Sequence, residues 1–345
     1  MRWLTGRASH NPIGGCKLPV WLVLTPRCSP RAVATCNGCV TFRTTLTMAA
    51  STMTTVSAES LSFEVEGLHI AAQAWGQADG IPVLALHGWL DNAASFAAIA
   101  EYLQQQGNPL RIVALDLPGH GNSDHKPPSG NYAIWDDLRI ICGVAEQLDW
   151  SQYSLLAHSR GAMIAALLAS AMPDNIRAVV CIDGLLADPQ AGEEFPKQLQ
   201  RYLNGFSNKG RPPRAFDTLE DAAAARIKVM PMSKRSARAI AERGTYQGDD
   251  GKFYWRSDRR LALASPHKLT AEQWRAVLQG IHAPLLFIAA KQGFGQEILA
   301  LSDARPKAFS TLDVDGDHHC HMDSCVEEVA EAAVAHFLCN AGGAE

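Results

Sequence analysis

From residue 60 onward the chain moves between two hydrophobic rhythms. SFEVEG and HIAAQAW alternate like a hairpin with one buried face. IPVLALHG is instead a continuous apolar run that stops at a turn, the pattern of a strand covered on both faces. The helical stretch SFAAIAEYLQQQG follows, then the strand LRIVALD, the helix IWDDLRIICGVAEQL, the strand YSLLA, the helix GAMIAALLASAM and the strand RAVVCID. Strand and helix in such alternation predict an α/β chain with a doubly wound, mostly parallel sheet.

Between about 185 and 270 the rhythm breaks into polar, Pro-interrupted helical segments rich in Arg and Lys. PLLFIAA, a short helix, FSTLDV and the closing helix CVEEVAEAAVAHFL then restore it. This predicts a poorly structured N-terminal extension over 1–59, a core split into 60–184 and 271–340, and a helical lid over 185–270. An insertion after the sixth strand lies above the carboxyl ends of the sheet, where such folds build their sites.

Composition narrows the class. With 345 residues and 47% hydrophobic content, the chain suits one large α/β domain with an insertion. A net charge of −4 gives no ground for a nucleic-acid partner or an anionic membrane surface. The first 58 residues carry six Lys/Arg and no Asp or Glu, and their apolar run LPVWLVL is far shorter than the roughly 20 residues of a membrane span. That leader reads as a dispensable extension with translation starting at Met48 or Met53, or as an organelle transit peptide. Nine scattered cysteines in a chain of this size read as reduced thiols, which points to a cytoplasmic protein. Cys36 and Cys39 have a zinc-like spacing, but no second pair completes it. No cofactor and no metal are expected.

Three segments carry candidate chemistry. Ser159 lies in LLAHSRGAMIAAL, at the seam between a strand and an Ala-rich helix. A nucleophilic serine sits on such a sharp turn, with small residues two before and two after it, here Ala157 and Gly161. An N-capping serine at a helix start accounts for the same residues equally well. His87-Gly88-Trp89 ends the third strand, where the backbone N–H of Trp89 would join that of Arg160 in an oxyanion hole; His87 itself reads as a packed structural histidine. VDGDHHCHMD, 314–323, follows the last strand and offers several histidines as general base. In the pattern usual for such enzymes the base comes two residues after a Gly, which selects His318 over His319 and His321. A metal set drawn from Asp315, Asp317, His318, His319, His321 and Asp323 is the rival reading of this loop.

The acid partner is not where it is usually found, because LLFIAAKQGFG after the penultimate strand contains no Asp or Glu. Asp183, at the end of the sixth strand in VVCIDGL, is the best substitute. Asp116, in LDLPGHGNSD, reads as a turn-fixing residue.

Together HIAAQAWG, LHGWLDNAASF, AHSRGA, CIDG, ERGT with SDRRLALAS, and GDHHCHMD resemble the serine hydrolase-like family of α/β-hydrolases over roughly residues 61–338. The resemblance implies the α/β-hydrolase fold, Ser159 as nucleophile, His318 as base and no acid after the seventh strand, which favours Asp183. Where most members have Gly before the His-Ser pair, this chain has Ala157. The activity implied is hydrolysis of a small-molecule ester-like (acyl) substrate through an acyl-enzyme. The alternative is a non-catalytic small-ligand-binding protein on the same fold. Ten Lys/Arg against four Asp/Glu over 201–243 would draw an anionic substrate or simply form solvated faces, and Phe195, Tyr202, Phe206 and Trp255 either line a pocket or pack the insertion on the sheet. Acyl length and oligomeric state are not legible.

Overall fold

A computed structural model of the chain describes residues 58–206 and 213–341. The leader with Cys16, Cys28, Cys36, Cys39, Met48 and Met53 lies outside the described residues, as does the side chain of Phe206.

The paired elements open with β1 (Glu59–Val65) and β2 (Leu68–Trp75), an antiparallel hairpin, then β3 (Ile81–Leu86), α1 (Ala97–Gln105) and β4 (Leu110–Leu115). Next come α2 (Leu138–Gln147), β5 (Tyr153–His158), α3 (Arg160–Ala171) and β6 (Ile176–Ile182). The insertion contributes α4 (Phe195–Phe206), α5 (Leu219–Val229), α6 (Lys234–Gly244) and a small hairpin of β7 (Thr245–Gln247) and β8 (Phe253–Trp255). The core resumes with α7 (Ala271–Gly280), β9 (Leu285–Ala290), α8 (Gly295–Ala300), β10 (Phe309–Val314) and α9 (Val326–Cys339).

Eight strands form one sheet in the order β1-β2-β4-β3-β5-β6-β9-β10. Only the β1–β2 and β2–β4 pairings are antiparallel. The continuous apolar runs are resolved by the period of two. Leu84, Leu86, Leu155, Ala157, Val179 and Cys181 face α2, α3 and α7, whereas Val83, Ala85, Leu156, Val180 and Ile182 face α1 and α9. Both faces are therefore buried, which is why these strands need no polar side.

The chain order reverses across β3, with β4 on one side and β5 on the other, so the loops leaving β3 and β5 part at a topological switch point. Those two loops hold His87-Gly88-Trp89 and Ser159. The insertion lies against the same ends. Asn92 Nδ2 donates to the Ile240 carbonyl at 2.9 Å, the Trp89 indole donates to the Leu261 carbonyl at 3.0 Å, and Arg243 pairs with the buried Asp116 at 2.9 Å. Asp116 also accepts the N–H groups of Ala93 and Asn122, so it fixes its turn and anchors α6 at once. Among the described residues no helix is long and apolar enough to cross a membrane.

Candidate active site

Ser159 is the single residue between β5 and α3, with φ 53° and ψ −117°. A side-chain-bearing residue rarely adopts this backbone, and the strain is on the order of 1–3 kcal/mol. Surrounding backbone holds it there. A Cβ on Gly161 would lie 2.0 Å from the Leu86 carbonyl oxygen, and one on Gly184 would lie 2.5 Å from the Ser159 Cα. The Ser159 N–H donates to the Ile182 carbonyl at 3.0 Å. Its side chain makes no capping hydrogen bond to α3, so the helix-cap alternative fails on geometry.

The hydroxyl instead faces a histidine from the far end of the chain. Ser159 Oγ lies 2.8 Å from His318 Nε2, and His318 Nδ1 lies 2.6 Å from Asp183 Oδ2. A carboxylate only accepts, so Nδ1 carries the proton and Nε2 is left to accept from the serine. Asp183 leaves β6 at φ 44° and is fully buried. Burial alone would raise its pKa, but the hydrogen bonds from His318 and from the Phe294 and Ala290 N–H groups hold the carboxyl below its ordinary value.

The acid-free KQGFG loop has a use in this arrangement. A Cβ on Gly293 would fall 2.2 Å from Asp183 Oδ2, and one on Gly295 would fall 2.9 Å from Oδ1. The loop that usually carries an acid here makes room for one arriving from β6 and hydrogen-bonds it through Phe294. Those two glycines leave the space that the Asp183 carboxylate fills.

Trp89 and Arg160 begin the two turns flanking the serine. Neither backbone N–H donates to an acceptor among the described residues. The Arg160 side chain turns away, pairing with Asp137 at 2.8 Å. His87 is locked as a neutral tautomer, with Nδ1–H donating to the Gly88 carbonyl at 2.7 Å and Nε2 accepting the Leu117 N–H at 3.0 Å. Burial lowers its pKa further, as a structural histidine requires.

Behind the serine lies a buried polar cluster that the sequence reading did not single out. His158 Nε2–H donates to the His318 carbonyl at 2.8 Å, tying the residue before the serine to the backbone of the histidine loop. Its pKa is pushed down to about 4, mainly by burial. Asp91 Oδ2 faces His158 Nδ1 at 3.5 Å and His319 Nε2 at 3.3 Å, while Oδ1 accepts from Arg226 of α5 at 2.7 Å. Burial opposes its ionisation, but His319 and the Arg226 guanidinium hold the carboxyl well below the usual carboxylate range. His321 packs its ring 4.2 Å from that of His158.

Asp91, His158 and His319 are the described residues whose ligand atoms converge as a metal would require, within 4.8 Å of one another. The Arg226 guanidinium already supplies the positive charge on that carboxylate. Of the six loop residues weighed as a metal set, only His319 belongs to this group. Asp315 pairs with Lys291, Asp323 accepts from Ser233, and His318 faces Ser159.

A sheet in this strand order, with a serine on a left-handed turn after β5 and a histidine in the loop after the last strand, defines the class of α/β hydrolases. The alpha/beta hydrolase fold family model matches residues 81–324. A serine hydrolase-like protein of Dictyostelium discoideum is 32% identical over 277 residues, 75% of this chain and 76% of the relative. One of Danio rerio is 28% identical over 78% of this chain and 85% of its own. The solved structure of a hypothetical protein from Pseudomonas aeruginosa PAO1 superposes with a TM-score of 0.73 at 34% identity, over 82% of this chain and all of that one. The chain belongs to the α/β-hydrolase superfamily and, within it, to the serine hydrolase-like family.

Proposed function

We propose that this hydrolase cleaves an ester-like bond in a small-molecule acyl substrate through a Ser159–His318–Asp183 triad. The observation that carries the reading is the single imidazole bridging the Ser159 hydroxyl at 2.8 Å and the Asp183 carboxylate at 2.6 Å. Ser159 Oγ attacks the carbonyl carbon as His318 Nε2 takes its proton, and Asp183 stabilises the imidazolium that forms. The oxyanion is held by the N–H groups of Trp89 and Arg160, each contributing roughly 3 kcal/mol to lowering the barrier. The imidazolium protonates the leaving oxygen, and water activated by the same base then hydrolyses the acyl-enzyme.

In this reading residues 185–270 form the lid, and the ion pairs to Asp91 and Asp116 are what hold it over the strand ends. The five described cysteines, Cys142, Cys181, Cys320, Cys325 and Cys339, are all free, which supports a cytoplasmic setting. The test compares wild type with Ser159→Ala on p-nitrophenyl butyrate and a fluorophosphonate probe. Wild type turns the ester over and is labelled at Ser159, and the variant does neither. Equal turnover by both proteins rejects the nucleophile, and absence of both turnover and labelling in wild type leaves the non-catalytic ligand-binding reading.

A further inference from the structure

Beside the HGWLD turn, α4, α5 and the β8 region enclose a cavity of about 1390 Å³, larger than a short acyl group needs. Leu90, the residue after Trp89, stands in its wall, whereas Ser159, Arg160 and His318 do not. One part of the lining is apolar, with Phe216, Val229, Trp255 and Leu263. The other part is cationic: Arg201, Arg214, Arg226, Arg256, Arg259 and Arg260 line the cavity, against Asp258 as the sole carboxylate in the described wall.

The pairing of these arginines is incomplete. Arg260 is matched by Asp258 at 2.6 Å, and Arg226 by Asp91 through Nη2. Among the described residues no carboxylate pairs with Arg201, Arg214 or Arg256. Two of those guanidinium groups rest on rings instead, Arg214 over Phe216 at 4.8 Å and Arg256 over Tyr246 at 5.5 Å. Arg226 is 5% exposed, and its Nε and Nη1 have no hydrogen-bond partner. Both atoms are closed off from the cavity, so the cationic groups that face it are the exposed Arg201, Arg214 and Arg256.

We propose that this cavity binds a phosphate group carried by the substrate, seated on the exposed Arg214 and Arg201. Two guanidinium groups without a carboxylate partner among the described residues, Arg201 and Arg214, exceed the single charge of a carboxylate, whereas a phosphate monoester brings close to two charges and three acceptor oxygens. Planar guanidinium forks match that geometry in pairs of parallel hydrogen bonds. The apolar wall takes the hydrocarbon part. The substrate class is therefore a phosphate-bearing acyl ester whose carbonyl reaches Ser159 while the phosphate stays in the insertion. The substrate class rests on Ser159 acting as the nucleophile, but the anion site itself does not.

A matched pair of esters tests it: 1-butyrylglycerol 3-phosphate against 1-butyrylglycerol, with wild type, Arg214→Gln and Arg201→Gln/Arg214→Gln, alongside calorimetric titration of pyrophosphate and of glutarate into each protein. The expected result is a kcat/KM preference for the phosphorylated ester on the order of tenfold or more, collapsing in the double variant and falling with added salt. Pyrophosphate binds wild type, and the double variant binds it at least tenfold more weakly. Equal kcat/KM values for the two esters, or pyrophosphate binding that ignores the arginines, overturn the proposal; glutarate binding more tightly than pyrophosphate overturns the phosphate class. Arginine-dependent pyrophosphate binding without turnover of either ester would leave the anion site standing and reject the hydrolytic reading.

Discussion

The carboxylate of Asp183 meets the imidazole of His318 at 2.6 Å, although 135 residues and the whole insertion separate them along the chain. The acid comes from the end of β6, while the loop after β9 gives it two backbone N–H donors and the space of two missing side chains.

Asp183→Asn keeps the shape and removes the charge that selects the His318 tautomer. Activity on p-nitrophenyl butyrate is expected to fall about 10⁴-fold in kcat with KM little changed, measured on protein whose thermal midpoint shows it folded. A variant within threefold of wild type would show that another group orients the base.

Gly293→Ala places a methyl where Asp183 Oδ2 stands, 2.2 Å from the new carbon. The carboxylate must move, and a displacement near 1 Å at a reacting group costs about 10²-fold in rate. Gly192→Ala, with nothing within 4 Å of its added carbon, is the control and is expected to match wild type. Equal rates for all three proteins would mean that the acid does not need its present position.

Acid sensitivity follows from the buried histidines. His158 is held neutral with a folded pKa of about 4, and burial also lowers those of His87, His120 and His321 from 6.5. A depressed folded pKa means that the unfolded chain binds more protons, so the stability from these groups is complete above about 6.5 and is lost as pH falls toward and below 4. Urea unfolding at intervals between pH 7 and pH 4 should show a falling midpoint, and a flat profile would contradict the neutral histidine cluster.

Asp91→Asn leaves the Arg226 charge buried without its partner. Breaking a buried pair from one side costs about 3–5 kcal/mol, read as a fall in urea midpoint at pH 7. Asp91 is held well below 3.8, so its stabilisation is present above that value and lost as pH falls through the folded one. The gap between variant and wild type should therefore close in strong acid.

Ala157→Gly tests the departure from the family pattern two residues before the serine. Ala157 is fully buried in β5, so losing its methyl and adding backbone freedom should cost about 1 kcal/mol of stability. Esterase activity is expected within threefold of wild type, because Gly161 and Gly184 carry the close approaches to the turn. A gain in activity above tenfold would show that Ala157 strains the elbow.

The sheet was legible because both of its faces are buried, which writes the central strands as uninterrupted apolar runs between turns. Ser159 stood out because a polar triplet breaks such a run at the switch from a period of two to an Ala-rich helix. Asp183 was legible from the absence of an acid in KQGFG, from its place at the end of the sixth strand and from the family resemblance, since nothing local to VVCIDGL tells a partner for histidine from a cap. The Asp91–Arg226 and Asp116–Arg243 pairs left no such trace: each joins a turn to an insertion helix 135 or 127 residues away, and polar segments carry no period that predicts which charge meets which. The β7–β8 hairpin was missed for a related reason, its three-residue strands being too short to establish any alternation.

The distance in chain order between Asp183 and His318 also bears on the order in which the site assembles during synthesis. A ribosome releasing the chain delivers the serine and the acid early and the imidazole 135 residues after the acid. Until β10 and the loop after it have emerged and docked, the strained Ser159 turn lacks the imidazole that faces its hydroxyl in the folded protein.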